Sequence, residues 1–183
     1  MIFIASLMLV GKETVYSLRG FCGLGLSFAA DGFGVILAVL TGAIWLITTI
    51  FSKEYMAAER NRNRYYFFVF LTLGATMGIF LSADLFTTFI FFEIMSFTSF
   101  VLVMHDEEDF TVRSAKTYLA VAVIGGLVTL MGLFMMYQKA GTLNMTELTA
   151  FMQSRENPAE FYAIGVLILF GFAAKAGLFP LHI

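Results

Sequence analysis

Charged residues in this chain fall into clusters separated by long uncharged runs. No charge interrupts the run from Gly32 to Ser52. About 20 apolar residues are enough to cross a bilayer, so the run predicts a spanning helix over 32–52. Asp31 stands where a helix N-cap belongs. A charged loop from Lys53 to Arg64 follows, then a second span over 65–83, whose leading Tyr65 and Tyr66 suit a membrane interface. Ser82-Ala83-Asp84 makes a tight connection, with Ser82 or Asp84 placed to cap the next helix. The third span, 85–104, carries one charge, Glu93, and an acidic loop follows it to Asp109. The fourth is predicted over 116–138, with Lys116 at its start and Gly125, Gly126 and Gly132 inside it. Glycine in a membrane helix signals close helix packing. The polar stretch 141–158 contains Leu143, Met145, Leu148, Phe151 and Met152, which suit a short surface helix. The fifth span is predicted over 161–183, through Lys175, with a kink or break at Pro180.

These elements predict an all-α fold: a polytopic transmembrane bundle of about five spanning helices plus an N-terminal stub. Met1–Val10 is apolar but too short to span and has no basic region before it. It reads as the end of a helix whose earlier part is missing, or as an interfacial piece. Residues 1–30 are therefore a stub with a polar lead-in, and 31–183 a membrane domain. Basic residues gather in the 53–64 loop and at Arg113 and Lys116, against Lys12, Arg19, Lys139 and Arg155 on the other side. The bias makes the 53–64 loop cytoplasmic.

Composition agrees. The 183 residues are 60% hydrophobic and only 13% charged, where soluble domains are about 25% charged. Mean hydropathy is +0.87. Twenty-two Phe and eleven Met exceed what a core of this size can hide, so lipid or partner subunits must cover the remainder. A net charge of -2 gives no footprint for nucleic acid. The single cysteine, Cys22, excludes an internal disulfide and a cysteine metal cluster, and reads as a small apolar residue near a surface. No glycine-rich nucleotide motif is present.

Two residues carry the chemistry. Glu93 has eight uncharged residues before it and twelve after, which places it near mid-bilayer. A charge there costs roughly 2.5–3.5 kcal/mol on insertion scales, so the side chain faces the bundle interior and seeks a partner. Ser96 lies three residues on, near the same helical face. Lys175 follows fourteen uncharged residues and is flanked by Gly171, Ala173, Ala174, Ala176 and Gly177. The bland alternatives are a structural buried carboxylate and a snorkelling lysine. Together, a carboxylate near a lysine favours the charged amine, and removing the carboxylate's charge lets desolvation favour the neutral one. Such a pair loads and unloads a proton. Lys116, one residue before an uncharged run, is a candidate relay or a snorkelling residue. His182, beside Pro180, is a candidate relay or an ordinary interfacial histidine. His105 and the acids after it read as a solvated face.

Phe92-Glu93-Ile94-Met95-Ser96 resembles the Trp-Glu-Leu-Met-Ser signature of the antiporter-like membrane subunits of complex I. Phe172 to His182, Phe-Ala-Ala-Lys-Ala-Gly-Leu-Phe-Pro-Leu-His, resembles the lysine helix of the same family. Asp31-Gly32 after Leu26-Ser27-Phe28, Gly141-Thr142-Leu143-Asn144-Met145 and Ser114-Ala115-Lys116-Thr117-Tyr118 are weaker matches. The family includes subunits of NADH:quinone oxidoreductase, membrane-bound hydrogenases and the large Mrp antiporter subunits. The resemblance implies that Glu93 and Lys175 form a proton-translocation pair, with Lys116 facing an internal water path. It departs at Phe92, where tryptophan is common. Family members have about fourteen helices in two inverted repeats, and this chain would match the third through seventh. It therefore reads as a fragment, or one piece of a split or decayed subunit.

The expected function is proton or sodium/proton translocation in a complex I-like, hydrogenase or Mrp-type complex in a cell membrane, the bacterial inner membrane by preference. Expected partners are other membrane subunits and lipid, with no cofactor in this chain and no redox centre. Any oxidoreductase activity would belong to the complex. The competing readings are a structural membrane subunit that transports nothing and a small independent transporter acting as an oligomer.

Overall fold

A computed structural model describes residues 15–18, 20–59, 61–154 and 159–178. The N-terminal stub and the Pro180–His182 segment lie outside the described residues. Six α-helices follow a short antiparallel hairpin, β1 (Val15–Leu18) and β2 (Leu26–Ala29). They are α1 (Gly32–Tyr55), α2 (Arg62–Phe80), α3 (Leu85–Val103), α4 (Asp109–Ala140), α5 (Met145–Gln153) and α6 (Ala159–Lys175). The hairpin is an addition to the helical pattern, in a stretch where the sequence shows only a polar lead-in.

Side chains set the helix starts. Asp31 accepts from the Gly34 amide at 2.9 Å, and Asp84 accepts from the Thr87 amide at 2.7 Å. Each neutralises a free amide in the first turn. Asn144 caps α5 through the amides of Thr146 and Glu147. α4 ends on Gly141 in the left-handed region at φ 73°, where a glycine carries no Cβ penalty.

Three segments, Gly32–Ala58, Leu85–Val103 and Asp109–Ala140, are long and apolar enough to cross a membrane; Phe161–Lys175 is apolar but shorter. α2 also packs in the bundle, its two arginines, Arg62 and Arg64, confined to its first turn. α2 lies along α3, α3 along α4, and α4 along α6, while α1 packs on α2 at the edge. The outer face of α1 exposes Phe33, Ile36, Leu40, Ile47 and Phe51, as a lipid-facing helix does.

The two ends of the bundle are built differently. At one, the α2–α3 connection is threaded between the hairpin and the start of α5. The Ala29 amide donates to the Leu81 carbonyl at 2.8 Å, and Ala83 donates to Ser27 at 2.9 Å. Leu85 donates to Leu143 at 3.0 Å and Met145 to Ala83 at 3.3 Å. Backbone groups of a tight turn that helices leave unpaired are thus satisfied by a strand edge and a loop. At the other end, Arg64 pairs with Glu107 and donates to the His105 carbonyl at 2.9 Å, while Tyr65 meets the His105 ring edge-on. This clasp holds Glu107 at φ 56°, an uncommon left-handed backbone for a glutamate.

Asn61 and Thr142 lie at opposite ends. In a Cys22→Ser background, cysteines at these positions are expected to react with an impermeant maleimide from opposite sides of the membrane. Labelling of both from the same side would overturn the arrangement.

Two differences from the sequence pattern bear on the site. α4 begins at Asp109 rather than near Lys116, so Lys116 lies two turns inside the helix. α6 ends at Lys175, where the sequence suggests a span to Ile183. Its end is a Schellman turn: Leu178 donates to Ala173 at 3.0 Å and Gly177, at φ 64°, donates to Ala174 at 3.4 Å. Glycine at 177 stops the helix before Pro180 is reached. At 1.5 Å per residue, α6 is about 25 Å long, short of a roughly 30 Å hydrocarbon core.

Candidate functional site

Because α6 stops short, its last residue lies against the middle of α3. The Lys175 ammonium pairs with Oε1 of Glu93, 82 residues earlier in the chain. The lysine side chain is 4% exposed and the glutamate side chain 21%. The pair joins the last turn of one helix to the centre of another. The aligned peptide dipoles of α6 place partial negative charge at its C-terminus, which favours a cation there.

Glycines make this approach possible. A Cβ at Gly126 of α4 would lie 2.9 Å from Cδ and 3.1 Å from Oε2 of Glu93, so the carboxylate rests against bare backbone. A Cβ at Gly125 would stand 2.9 Å from the Cβ of Ala174, and one at Gly171 would stand 2.5 Å from the Gly125 carbonyl oxygen. Gly132 faces Ile168 in the same way, at 2.7 Å. This seam draws α4 and α6 into backbone contact and carries Lys175 to Glu93. The sequence marks Gly125, Gly126 and Gly132 as packing residues; their role as the carboxylate's seat is visible only in three dimensions.

Phe92 supplies the other wall. The Lys175 ammonium stands 5.3 Å from the centroid of its ring, which meets Phe172 edge-on at 5.0 Å. The position where the resemblance favours tryptophan is therefore still an aromatic face for a cation, a contact the sequence reading missed. Ser96 is buried, but its hydroxyl donates to the Phe92 carbonyl at 2.8 Å rather than to Glu93.

The remaining candidates lie apart from the pair. Lys116 is exposed on α4, about 15 Å along the helix from Gly126, on the outward stripe that includes Ile124, Leu127 and Met131. His182 lies outside the described residues. Below the pair, towards Asp84, the seam is apolar: Phe86, Phe89, Leu133 and Met136 are buried together, with Ile90 and Leu130 packed on them. Asp84 is itself buried at the far end, where it accepts from the Thr87 hydroxyl at 2.7 Å, whose oxygen in turn accepts from the Ser27 amide at 2.9 Å.

A mostly helical bundle with bilayer-spanning apolar helices and a carboxylate–ammonium pair inside it defines an integral membrane protein with a charged centre. Residues 82–183 match the family described as NADH:quinone oxidoreductase/Mrp antiporter, TM, and the chain belongs to that family. It is 30% identical over 158 residues to a Na(+)/H(+) antiporter subunit of Alkalihalophilus pseudofirmus, a match that covers 86% of this chain and 32% of that protein. The corresponding Na(+)/H(+) antiporter subunit of Bacillus subtilis matches at 30% over 158 residues, again 86% of this chain and 32% of the relative. Among solved structures, a chain of the archaeal membrane-bound sulfane sulfur reductase superposes with a TM-score of 0.82 at 27% identity, over 99% of this chain and 29% of that one. A chain of the Mrp complex from Dietzia sp. DQ12-45-1b superposes with a TM-score of 0.71 at 25% identity, over 98% and 34%. The chain spans about a third of the length of the curated relatives it matches.

Proposed function

We propose that this chain carries part of a proton path through the membrane, as a subunit or part of a subunit of an Mrp-type or complex I-like assembly, and that Glu93 and Lys175 are its switchable pair. The observation that carries the reading is the ion pair itself. Two charged groups are held inside a membrane bundle, at a helix end, where inserting either alone is unfavourable. While Glu93 is anionic the pair holds a proton on Lys175; when Glu93 is neutralised or drawn away, the amine no longer has its counter-charge and can pass the proton on. Proton rather than sodium transfer fits these residues. A hard cation needs several oxygen ligands, and this carboxylate already faces an ammonium and a glycine backbone. Lys116 and His182 are further relay candidates in this scheme. Lys116 would act only where another part of the assembly meets its exposed stripe.

The test is Glu93→Gln, assayed as proton pumping or antiport in vesicles holding the assembled complex. Glutamine keeps size and polarity but not the charge. Transport is expected to fall at least about 100-fold, the usual weight of a positioned acid–base group, with normal membrane insertion. Wild-type transport would return Glu93 to a structural role.

A further inference from the structure

We infer that the Tyr118 and Ser99 hydroxyls form a proton relay between Glu93 and the end of the bundle that carries the Arg64–Glu107 clasp. The inference rests on the reading of Glu93 and Lys175 as a translocation pair. It starts from an asymmetry along the α3–α4 seam. Towards Asp84, the seam beyond Glu93 is filled by Phe86, Phe89, Leu133 and Met136, none more than 9% exposed. The buried hydroxyls on that side, Thr129 and Thr87, donate to the Gly125 carbonyl and to Asp84 and do not bridge the apolar cluster. Towards Val103, the residues three and six positions beyond Glu93 on α3 are Ser96 and Ser99. Ser96 neighbours Glu93 on the helix surface and Ser99 lies one step further round, yet Glu93 and Ser99 both reach α4, at Gly126 and at Tyr118.

Ser99 reaches across the seam. Its hydroxyl and that of Tyr118 on α4 share a hydrogen bond of 2.8 Å, and either oxygen can be the donor. Ser99 also has the carbonyls of Met95 at 2.6 Å and Ser96 at 3.2 Å as acceptors, so its proton has alternative resting places. That is the condition for a hydroxyl to turn and pass a proton on. The other hydroxyls near this half of α3 do not offer the same route across the seam. Ser96 donates only to Phe92, and Thr72 and Thr98, which pair at 2.9 Å, lie on the α2 side of α3. Ser99 is about 9 Å along the axis from Glu93 and about 6 Å from the helix end, so the Tyr118–Ser99 pair divides the distance from aqueous loop to carboxylate. A short file of waters spans the inner gap.

The step balances without a co-reactant. A hydronium at the loop gives its proton to the Tyr118 oxygen and becomes water, while Tyr118 releases its own proton to Ser99. Ser99 releases its proton inward, and the last transfer forms an O–H bond on the Glu93 carboxylate. Tyr118 and Ser99 end neutral, each with one proton, and rotate back.

The experiment is proton flux in vesicles containing the assembled complex, under an imposed pH gradient, for Tyr118→Phe, Ser99→Ala, Ser99→Thr and the Tyr118→Phe/Ser99→Ala double variant. A relay predicts that each of the first two lowers flux about 10-fold, that the double variant is no worse than either, and that Ser99→Thr, which keeps the hydroxyl, retains near-wild-type flux. Flux in Tyr118→Phe should also rise nearly tenfold for each unit of pH lowered on the clasp side, because proton supply has become limiting. Should Tyr118→Phe fail to assemble, Ser99→Ala reads the same relay. An interhelical hydrogen bond that only holds the helices together predicts lower thermal stability with unchanged flux and unchanged pH profile, and that result overturns the relay. If Glu93→Gln transports normally, the proposed function falls with it; if Glu93→Gln is inactive while Tyr118→Phe and Ser99→Ala are normal, only the relay falls.

Discussion

Lys175→Met alone is expected to destabilise the bundle by about 3–5 kcal/mol, and the Glu93→Gln/Lys175→Met double variant is expected to recover most of that loss. Removing one partner leaves the other charge buried without compensation, which is the expensive arrangement. Removing both leaves a polar amide and a flexible apolar side chain of similar length beside the Phe92 ring, and neither requires a counter-ion. Unfolding in increasing SDS, followed by helix content, measures the three stabilities. Proton transport in the assembled complex is expected to be lost in the single and the double variants alike. The divergence separates the two roles: a structural pair would recover stability and transport together. If Lys175→Met is as stable as wild type, the pair is too well hydrated to be the buried centre described above.

Gly171→Leu is expected to be nearly as severe, although Gly171 touches neither charge. Any Cβ at this position would lie 2.5 Å from the Gly125 carbonyl oxygen and 2.8 Å from the Thr129 amide nitrogen. These are backbone atoms of α4 and cannot turn aside, so α6 has to move away from α4. Overpacking of this kind costs about 1–3 kcal/mol even where a site relaxes. The larger consequence is positional: with α6 displaced, the Lys175 ammonium is carried from the carboxylate seated against Gly126. A cysteine pair engineered across α4 and α6, away from the site, should lose crosslinking yield, and transport should fall at least about 10-fold, since small misplacements of reacting groups carry large rate penalties. Gly165→Leu on the same helix is the control. No atom lies within 4 Å of a Cβ built there, and the variant should behave as wild type.

The clusters of charge between apolar runs determined much of this protein directly. Charges are excluded from lipid, so loops such as 53–64 and 105–109 and helix starts such as Asp31 and Asp84 are visible as breaks in the pattern. Glu93 and Lys175 stood out for the same reason, as isolated charges in runs that otherwise tolerate none. The end of α6 was less legible. Pro180 is the stronger helix breaker, but Gly177 adopts a left-handed turn first, and which of two adjacent stop signals acts depends on how the terminal carbonyls are satisfied. The hairpin escaped notice because its exposed first strand has no alternation to reveal it; its edge is fixed by the Leu81 and Ala83 backbone groups it satisfies.

What only the tertiary structure decided is which side of each helix meets which neighbour. In a soluble protein an apolar stripe points to the core, but α3 and α6 are apolar almost all round, and lipid and protein interior are alike to Leu, Ile and Phe. Periodicity therefore could not orient Lys116, which faces outward, nor assign Gly126 to the Glu93 carboxylate, nor join Ser99 to Tyr118. Nor could it bring together Glu93 and Lys175 across 82 residues. The sequence determined that two charges had to be buried. The glycine seam between α4 and α6, where backbones pack closely enough for a short helix to end beside α3, decided that they are buried together.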